Sequence, residues 1–162
     1  MSNFTTWRSL VDGEEIGAIR VVSRPNDDDS TSVTDRSIGV TITPKNDFDL
    51  IGARISQNTV GVTRARIYDY EAGEYIQTVD ISDKSSGDVF VFEVDIKQGQ
   101  NYGIEVDDKT GSYDHGFLND GTNYPYEGDE IDIVGRSDGG VNETDQNAGG
   151  VNDIGNPDGV LN

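Results

Sequence analysis

The chain has no cysteine, which removes disulfides, thiolate catalysis and Cys-ligated zinc in one step. It is nearly as poor in positive charge: 12 Lys and Arg stand against 31 Asp and Glu, a formal net charge of -19. A phosphate backbone needs a basic patch, and no segment supplies one, so nucleic acid is not an expected partner. The same shortage argues against an anionic membrane surface. No run of 18 apolar residues is present, so no helical span is expected. The stretch Met1-Ser2-Asn3-Phe4-Thr5-Thr6-Trp7-Arg8 lacks the charged and apolar regions of a secretory signal. Also missing are a phosphate loop, Gly-x-Ser-x-Gly, His-Glu-x-x-His and the EF-hand spacing Asp-x-Asp-x-Asp-Gly.

A net charge this large is strongly self-repelling in dilute buffer. It is compatible with a folded state when salt screens it, because the Debye length falls to about 3 Å at 1 M. The finer composition points the same way. There are 22 Asp to 9 Glu and 8 Arg to 4 Lys; short carboxylates hold water and cations, and few apolar Lys stems are left at the surface. Disorder is disfavoured by the apolar alternation in the middle of the chain. The pattern resembles that of haloarchaeal proteins. An acidic protein binding Ca²⁺ or a basic partner is the competing reading.

At 162 residues the chain is long enough for one domain with a real core. Residues 1–35 read as an N-terminal arm with one strand, Ile16 to Ser23, followed by the turn-prone Arg24-Pro25-Asn26-Asp27-Asp28-Asp29-Ser30. Residues 36–136 carry a period of two. Ile38, Val40 and Ile42 share one face, as do Ile51, Ala53 and Ile55; Ala65 and Ile67 alternate with Arg64 and Arg66. Phe90, Phe92, Val94 and Ile96 repeat the pattern, as do Tyr102, Ile104 and Val106 around Gly103 and Glu105. Gly- or Asx-rich turns such as Ser85-Ser86-Gly87-Asp88 and Lys97-Gln98-Gly99-Gln100 separate these runs. The predicted fold class is therefore all-β, an antiparallel β-sandwich of jelly-roll type.

Residues 137–162 contain no Lys, Arg or aromatic residue and six Gly. Gly139-Gly140-Val141-Asn142 returns as Gly149-Gly150-Val151-Asn152, with an echo in Asp158-Gly159-Val160-Leu161-Asn162. Such a segment cannot bury enough to fold alone. It is expected to be a Gly/Asn/Asp-rich tail ordered by contacts in an assembly.

Three groups of side chains are candidate sites. Tyr113, His115 and Phe117 lie near Tyr124 and Tyr126 in sequence, and aromatic faces stack on sugar rings, so this loop is the expected glycan contact. Its bland reading is a polar loop on the sandwich rim. Tyr113, Asp114 and His115 do not form a recognisable acid/base constellation, and no catalytic residue is assigned. Asp107, Asp108 and Asp114 form the candidate Ca²⁺ or Mg²⁺ set, since hard cations take six to eight oxygens; no cofactor is required, and diffuse solvation explains such clusters equally in a chain this acidic. Arg54, Arg64 and Arg66 are able to gather on one outer face and bind carboxylate or phosphate, although neutralising the chain's own carboxylates is the plainer role.

The order Gly39-Val40-Thr41-Ile42-Thr43-Pro44, Leu50-Ile51-Gly52-Ala53-Arg54-Ile55, Ala65-Arg66-Ile67-Tyr68-Asp69, Tyr75-Ile76-Gln77-Thr78-Val79, Phe92-Glu93-Val94-Asp95-Ile96 and Gly99-Gln100-Asn101-Tyr102-Gly103-Ile104-Glu105-Val106 resembles a known family. These are the small carbohydrate-binding-like β-sandwich modules of tail, spike, turret and capsid-decorating proteins of tailed viruses. The likeness lies in strands and turns, and a fibronectin-like or general jelly-roll module fits it too, so it transfers no binding residue. Joined to the composition, it implies a non-enzymatic virion structural protein of a haloarchaeal tailed virus. Such a protein would be made in the host cytoplasm and exposed to a high-salt medium. Its partners would be other virion proteins and copies of itself, with host-surface glycan contact as an addition. The alternative is a stand-alone carbohydrate-binding module at a halophile cell surface.

Overall fold

The computed structural model describes residues 10–11, 14–15, 21–23, 27, 29–108, 111–117, 124–144 and 149–155. All of the regular structure in them is β. The strands are β1 (Leu10–Val11), β2 (Glu14–Glu15), β3 (Val21–Ser23), β4 (Asp29–Thr34), β5 (Ile38–Pro44), β6 (Phe48–Ile55) and β7 (Arg64–Asp69). They continue with β8 (Glu74–Asp80), β9 (Val89–Ile96), β10 (Tyr102–Asp107), β11 (Ser112–Phe117), β12 (Ile131–Asp138), β13 (Val141–Thr144) and β14 (Val151–Gly155).

Two antiparallel sheets form a sandwich, one of six strands in the order β13-β12-β5-β10-β7-β8 and one of four in the order β3-β14-β6-β9. Chain-adjacent strands repeatedly change sheets: β5 to β6, β6 to β7, β8 to β9 and β9 to β10. This crossing brings the alternating apolar sets of both sheets face to face. Val40, Ile42, Ala65, Ile67, Ile104 and Val106 come from one sheet and Ile51, Ala53, Ile55, Phe90, Phe92 and Ile96 from the other, in a single buried cluster. The period-two reading of residues 36–136 is therefore the core of the fold. Its breaks are also turns: Gly73, Gly87 and Gly99 take φ of 74°, 88° and 79°, a left-handed conformation that glycine adopts without steric cost.

Two flanking segments are built into the sheets as well. β3 pairs with β14, while β4 pairs with β11 in a separate two-stranded ribbon; both β3 and β4 lie in the segment read as an arm. Of the strand expected from Ile16 to Ser23, residues 16–20 lie outside the described residues. In the segment read as a tail, β13 pairs with β12. β14 lies between β3 and β6 with all five residues buried. Val151 and Ile154 belong to the central apolar cluster, so these residues find their packing partners within the chain. A register shift between Val151 and Asp153 breaks the alternation that would have marked this strand. Residues 145–148 and 156–162, including the third repeat, lie outside the described residues.

Candidate functional site on the outer face of the six-stranded sheet

The face of the six-stranded sheet turned away from the core is neither apolar nor simply solvated. Its central row runs Ser137, Gly39, Glu105 and Arg66 across β12, β5, β10 and β7. The next row runs Thr41, Gly103, Tyr68 and Tyr75. Glycine at 39 and 103 leaves the middle of this face open. A Cβ on Gly103 would fall 2.1 Å from Ser137 Oγ, so that position admits no side chain.

Glu105 fills the space and is fully buried. Its carboxylate accepts three hydrogen bonds: from Tyr75 Oη at 2.7 Å, from Ser137 Oγ at 2.6 Å and from the Gly140 N–H at 3.0 Å. The single Ser137 hydroxyl proton is used on Glu105, so the 2.5 Å contact between Tyr70 Oη and Ser137 Oγ has the tyrosine as donor. A buried carboxylate is tolerated only when its oxygens are satisfied in this way. The Gly139-Gly140 turn of the β12–β13 hairpin closes over it. Gly140 has φ of 81°, and a Cβ there would meet the Tyr68 ring at 2.6 Å.

Three of the seven tyrosines surround this carboxylate. Tyr68 meets Tyr70 and Tyr75 edge-on, each at 5.0 Å between centroids, and the Arg66 guanidinium lies 3.9 Å above the Tyr75 ring. These rings are half-buried. Burial, reinforced by Glu105, pushes the Tyr75 phenol well above its ordinary pKa, and burial also raises that of Tyr70. Arg66 and Arg64 both reach Asp107, with Arg64 Nε at 2.5 Å and Arg66 Nη2 at 3.0 Å. The arrangement gives a sealed anionic centre ringed by phenol edges and a guanidinium. Chemically it is suited to holding the hairpin down and to presenting a mixed aromatic and charged contact surface.

The expected aromatic site separates into two places. Tyr113 and His115 are buried on β11, edge-on to each other at 6.2 Å, and Phe117 on the same strand is half-buried. Tyr113 belongs to the core; its hydroxyl lies beside the Ile38 backbone, and burial raises its pKa. Tyr124 and Tyr126 form another edge-on pair at 4.9 Å, half-buried against the core. Tyr126 exchanges backbone hydrogen bonds with Ile133, whereas Ile38 pairs with Asp138, five positions along β12. At a rise of about 3.3 Å per residue, the two groups are on the order of 16 Å apart along the strand. Residues 118–123 of the connecting loop lie outside the described residues.

Asp107, Asp108 and Asp114 do not converge. Asp107 is engaged by the two arginines, Asp108 accepts from Thr63 Oγ1 at 2.9 Å, and Asp114 is exposed on β11. Among the described residues, no group of three or more His, Asp or Glu side chains is placed to hold a metal ion. Arg54 is on the other sheet, where it binds Asp153 at 2.8 Å and the Gly87 carbonyl at 2.7 Å. All three arginines thus neutralise the chain's own carboxylates.

Sequence reasoning missed Glu105, because between Ile104 and Val106 it reads as the solvent-side residue of an alternating strand. A signal was present in Tyr68, Tyr70 and Tyr75, crowded into eight positions, together with two glycines on the strands facing them. Compared with known protein families, curated proteins and solved structures, the chain matches none.

Proposed function

We infer that the chain is a non-enzymatic structural module that works as assembled copies of itself, in the virion of a haloarchaeal tailed virus as a turret, spike, decoration or tail component. The observation that carries its non-enzymatic part is the state of Glu105. The most enclosed carboxylate of the sheet face spends its oxygens on three donors of its own chain, which is the use of a structural hub and not of a reacting group. The virion assignment is supported by the order of strands and turns and by the salt-adapted composition, with its net charge of -19. Sizing by light scattering in about 3 M salt, where surface repulsion is screened, tests self-association; a single-chain mass at every concentration overturns it.

Glycan contact is a second reading favoured by a separate observation, the half-buried tyrosines on an outer sheet face. Phenol rings are able to cover the apolar face of a sugar while their hydroxyls hydrogen-bond. In this reading, glycan-array binding in high salt falls on Tyr70→Ala or on Tyr124→Ala with Tyr126→Ala. Binding that survives both changes removes these tyrosines as the contact.

A further inference from the structure

Sheet edges expose backbone hydrogen-bonding groups and serve as templates for another strand unless charge, proline or a cover blunts them. The edges here differ in this respect. β8 pairing with itself antiparallel about Gln77 would set Glu74 against Asp80 twice, and β9 carries exposed Glu93 and Asp95. β3 has three residues and β13 four. β4 is six residues long, Asp-Ser-Thr-Ser-Val-Thr, and only Val33 is less than exposed. From Ser30 to Thr34 it has no charge and no proline, in a chain that averages more than one charged residue in four.

The backbone directions along β4 follow from its partner. Asp114 of β11 spends both its N–H and its C=O on Val60, at 2.9 Å each, so those groups point away from β4. Ser32 is opposite Asp114, and in an antiparallel ladder such a residue turns its own N–H and C=O to the other side, the outer edge. Ser30 and Thr34, two positions either way, do the same. The Ser30 N–H is capped by Asp29 Oδ1 at 2.8 Å. The strand ends at Thr34: Asp35 takes φ of 55° and keeps one last bond toward β11, from its N–H to the Gly111 carbonyl at 3.3 Å.

We propose that β4 is a homotypic interface, through which two copies of this chain join their β4–β11 ribbons into one antiparallel four-stranded sheet about a two-fold axis at Ser32. It rests on the self-association inferred above and names the contact. In this register Ser32 exchanges both backbone hydrogen bonds with Ser32 of the second copy, and Ser30 faces Thr34. Thr31 lies opposite Val33, so the paired side chains are hydroxyl or β-branched, combinations that favour cross-strand packing. No charge falls within the ladder. Two chains of net charge -19 repel each other in dilute buffer, so the pairing strengthens with salt, opposite to an interface held by ion pairs.

The test uses sedimentation velocity of the full chain from about 0.1 to 3 M KCl, with circular dichroism to report folding. The expected result is twice the 17.6 kDa chain mass at high salt, with dissociation as salt falls. Ser32→Pro removes an outward N–H, and an edge position of this kind tolerates proline; it is expected to give the single-chain mass with an unchanged strand spectrum. Because the chain has no cysteine, Ser32→Cys supplies a second measurement that does not depend on proline being accepted. Facing residues in such a pair bring Cα atoms within the roughly 4.4–6.8 Å span of a disulfide. Oxidative cross-linking at position 32 should then run on the order of tenfold or more faster than at an exposed Ser85→Cys control, through raised effective concentration. Equal cross-linking at the two positions overturns the proposal, as does a multimer that persists in folded Ser32→Pro; the latter leaves self-association standing. A single-chain mass under all conditions overturns both.

Discussion

The two faces of the six-stranded sheet are made by the same strands, yet they are held by different physics. On the inner face Ile104 and its neighbours Val40 and Ile67 are fully buried against the second sheet, and their stabilisation comes from removing apolar surface from water. One residue further along β10, Glu105 is equally buried, but it is held by hydrogen bonds from three donors. The inner face tolerates any shape-preserving apolar change; the outer face tolerates few changes of chemistry. Burial alone therefore says little about what a position will accept, and the comparison can be broken or sharpened by experiment.

The largest effect is expected from ending the chain at residue 136. The change removes β13 and β14, and with them Val151 and Ile154 from the inner core and the Gly140 lid from Glu105. Both faces are opened at once, and loss of cooperative unfolding by circular dichroism in high salt is the expected outcome. A folded chain 1–136 would mean that β14 is dispensable and that the four-stranded sheet closes on β3 and β6 without it.

Neighbouring substitutions on β10 separate the two kinds of support. Ile104→Ala is expected to cost about 2–5 kcal/mol, the range for a large-to-small change in a packed core. Glu105→Ala leaves the Tyr75, Ser137 and Gly140 donors without their acceptor and is expected to cost about 1–3 kcal/mol. Glu105→Gln keeps an acceptor for Ser137 and Gly140 and should recover most of that loss. Denaturant titration in high salt checks the order; a Gln variant no better than Ala would show that charge, and not the hydrogen-bond pattern, holds the hairpin.

How far the sequence discloses these faces follows from the same physics. The inner face was legible because apolar burial on one side of a strand leaves a period of two, as in Ile51, Ala53 and Ile55 or Phe90 and Phe92. β14 was not legible: Val-Asn-Asp-Ile-Gly is buried on both sides and carries a register shift, so no alternation survives, and its Gly- and Asn-rich surroundings read as a tail. The aromatic set Tyr113, His115, Phe117, Tyr124 and Tyr126 is close in sequence, whereas pairing of Asp114 to Val60 and of Tyr126 to Ile133 draws its two halves apart. Arg64 and Arg66 were legible because alternation puts both on the face opposite Ala65 and Ile67. That they meet at Asp107, and that Glu105 beside it is enclosed, depends on which strands become neighbours, which a single strand does not encode.

Gly140→Ala tests the lid alone. A side chain at φ of 81° is strained, and its Cβ would strike the Tyr68 ring; the left-handed conformation by itself costs about 1–2 kcal/mol. The smaller effect than Glu105→Ala is expected because the turn is able to lift away while Tyr75 and Ser137 keep their bonds to Glu105. Faster hydrogen exchange confined to residues 139–144 is the expected signature. Exchange that spreads into β10 would mean the lid and the carboxylate form one cooperative unit.

The mildest test uses alkaline pH, at which the outer face alone has a titrating donor to Glu105. Burial raises the Tyr75 pKa above its unfolded value of about 10. The folded state thus holds the phenol proton that the unfolded state releases, and the stabilisation is full below about pH 10 and declines as pH rises toward the folded pKa. Tyr75→Phe abolishes this contribution, so its unfolding midpoint should fall less steeply than that of the parent chain above pH 10. Tyr113 is raised too, but it projects into the core and remains in both proteins, so it cancels in the difference. If the two curves stay parallel, ionisation of Tyr75 does not reach folding, and the hydroxyl bond to Glu105 contributes less than its 2.7 Å geometry implies.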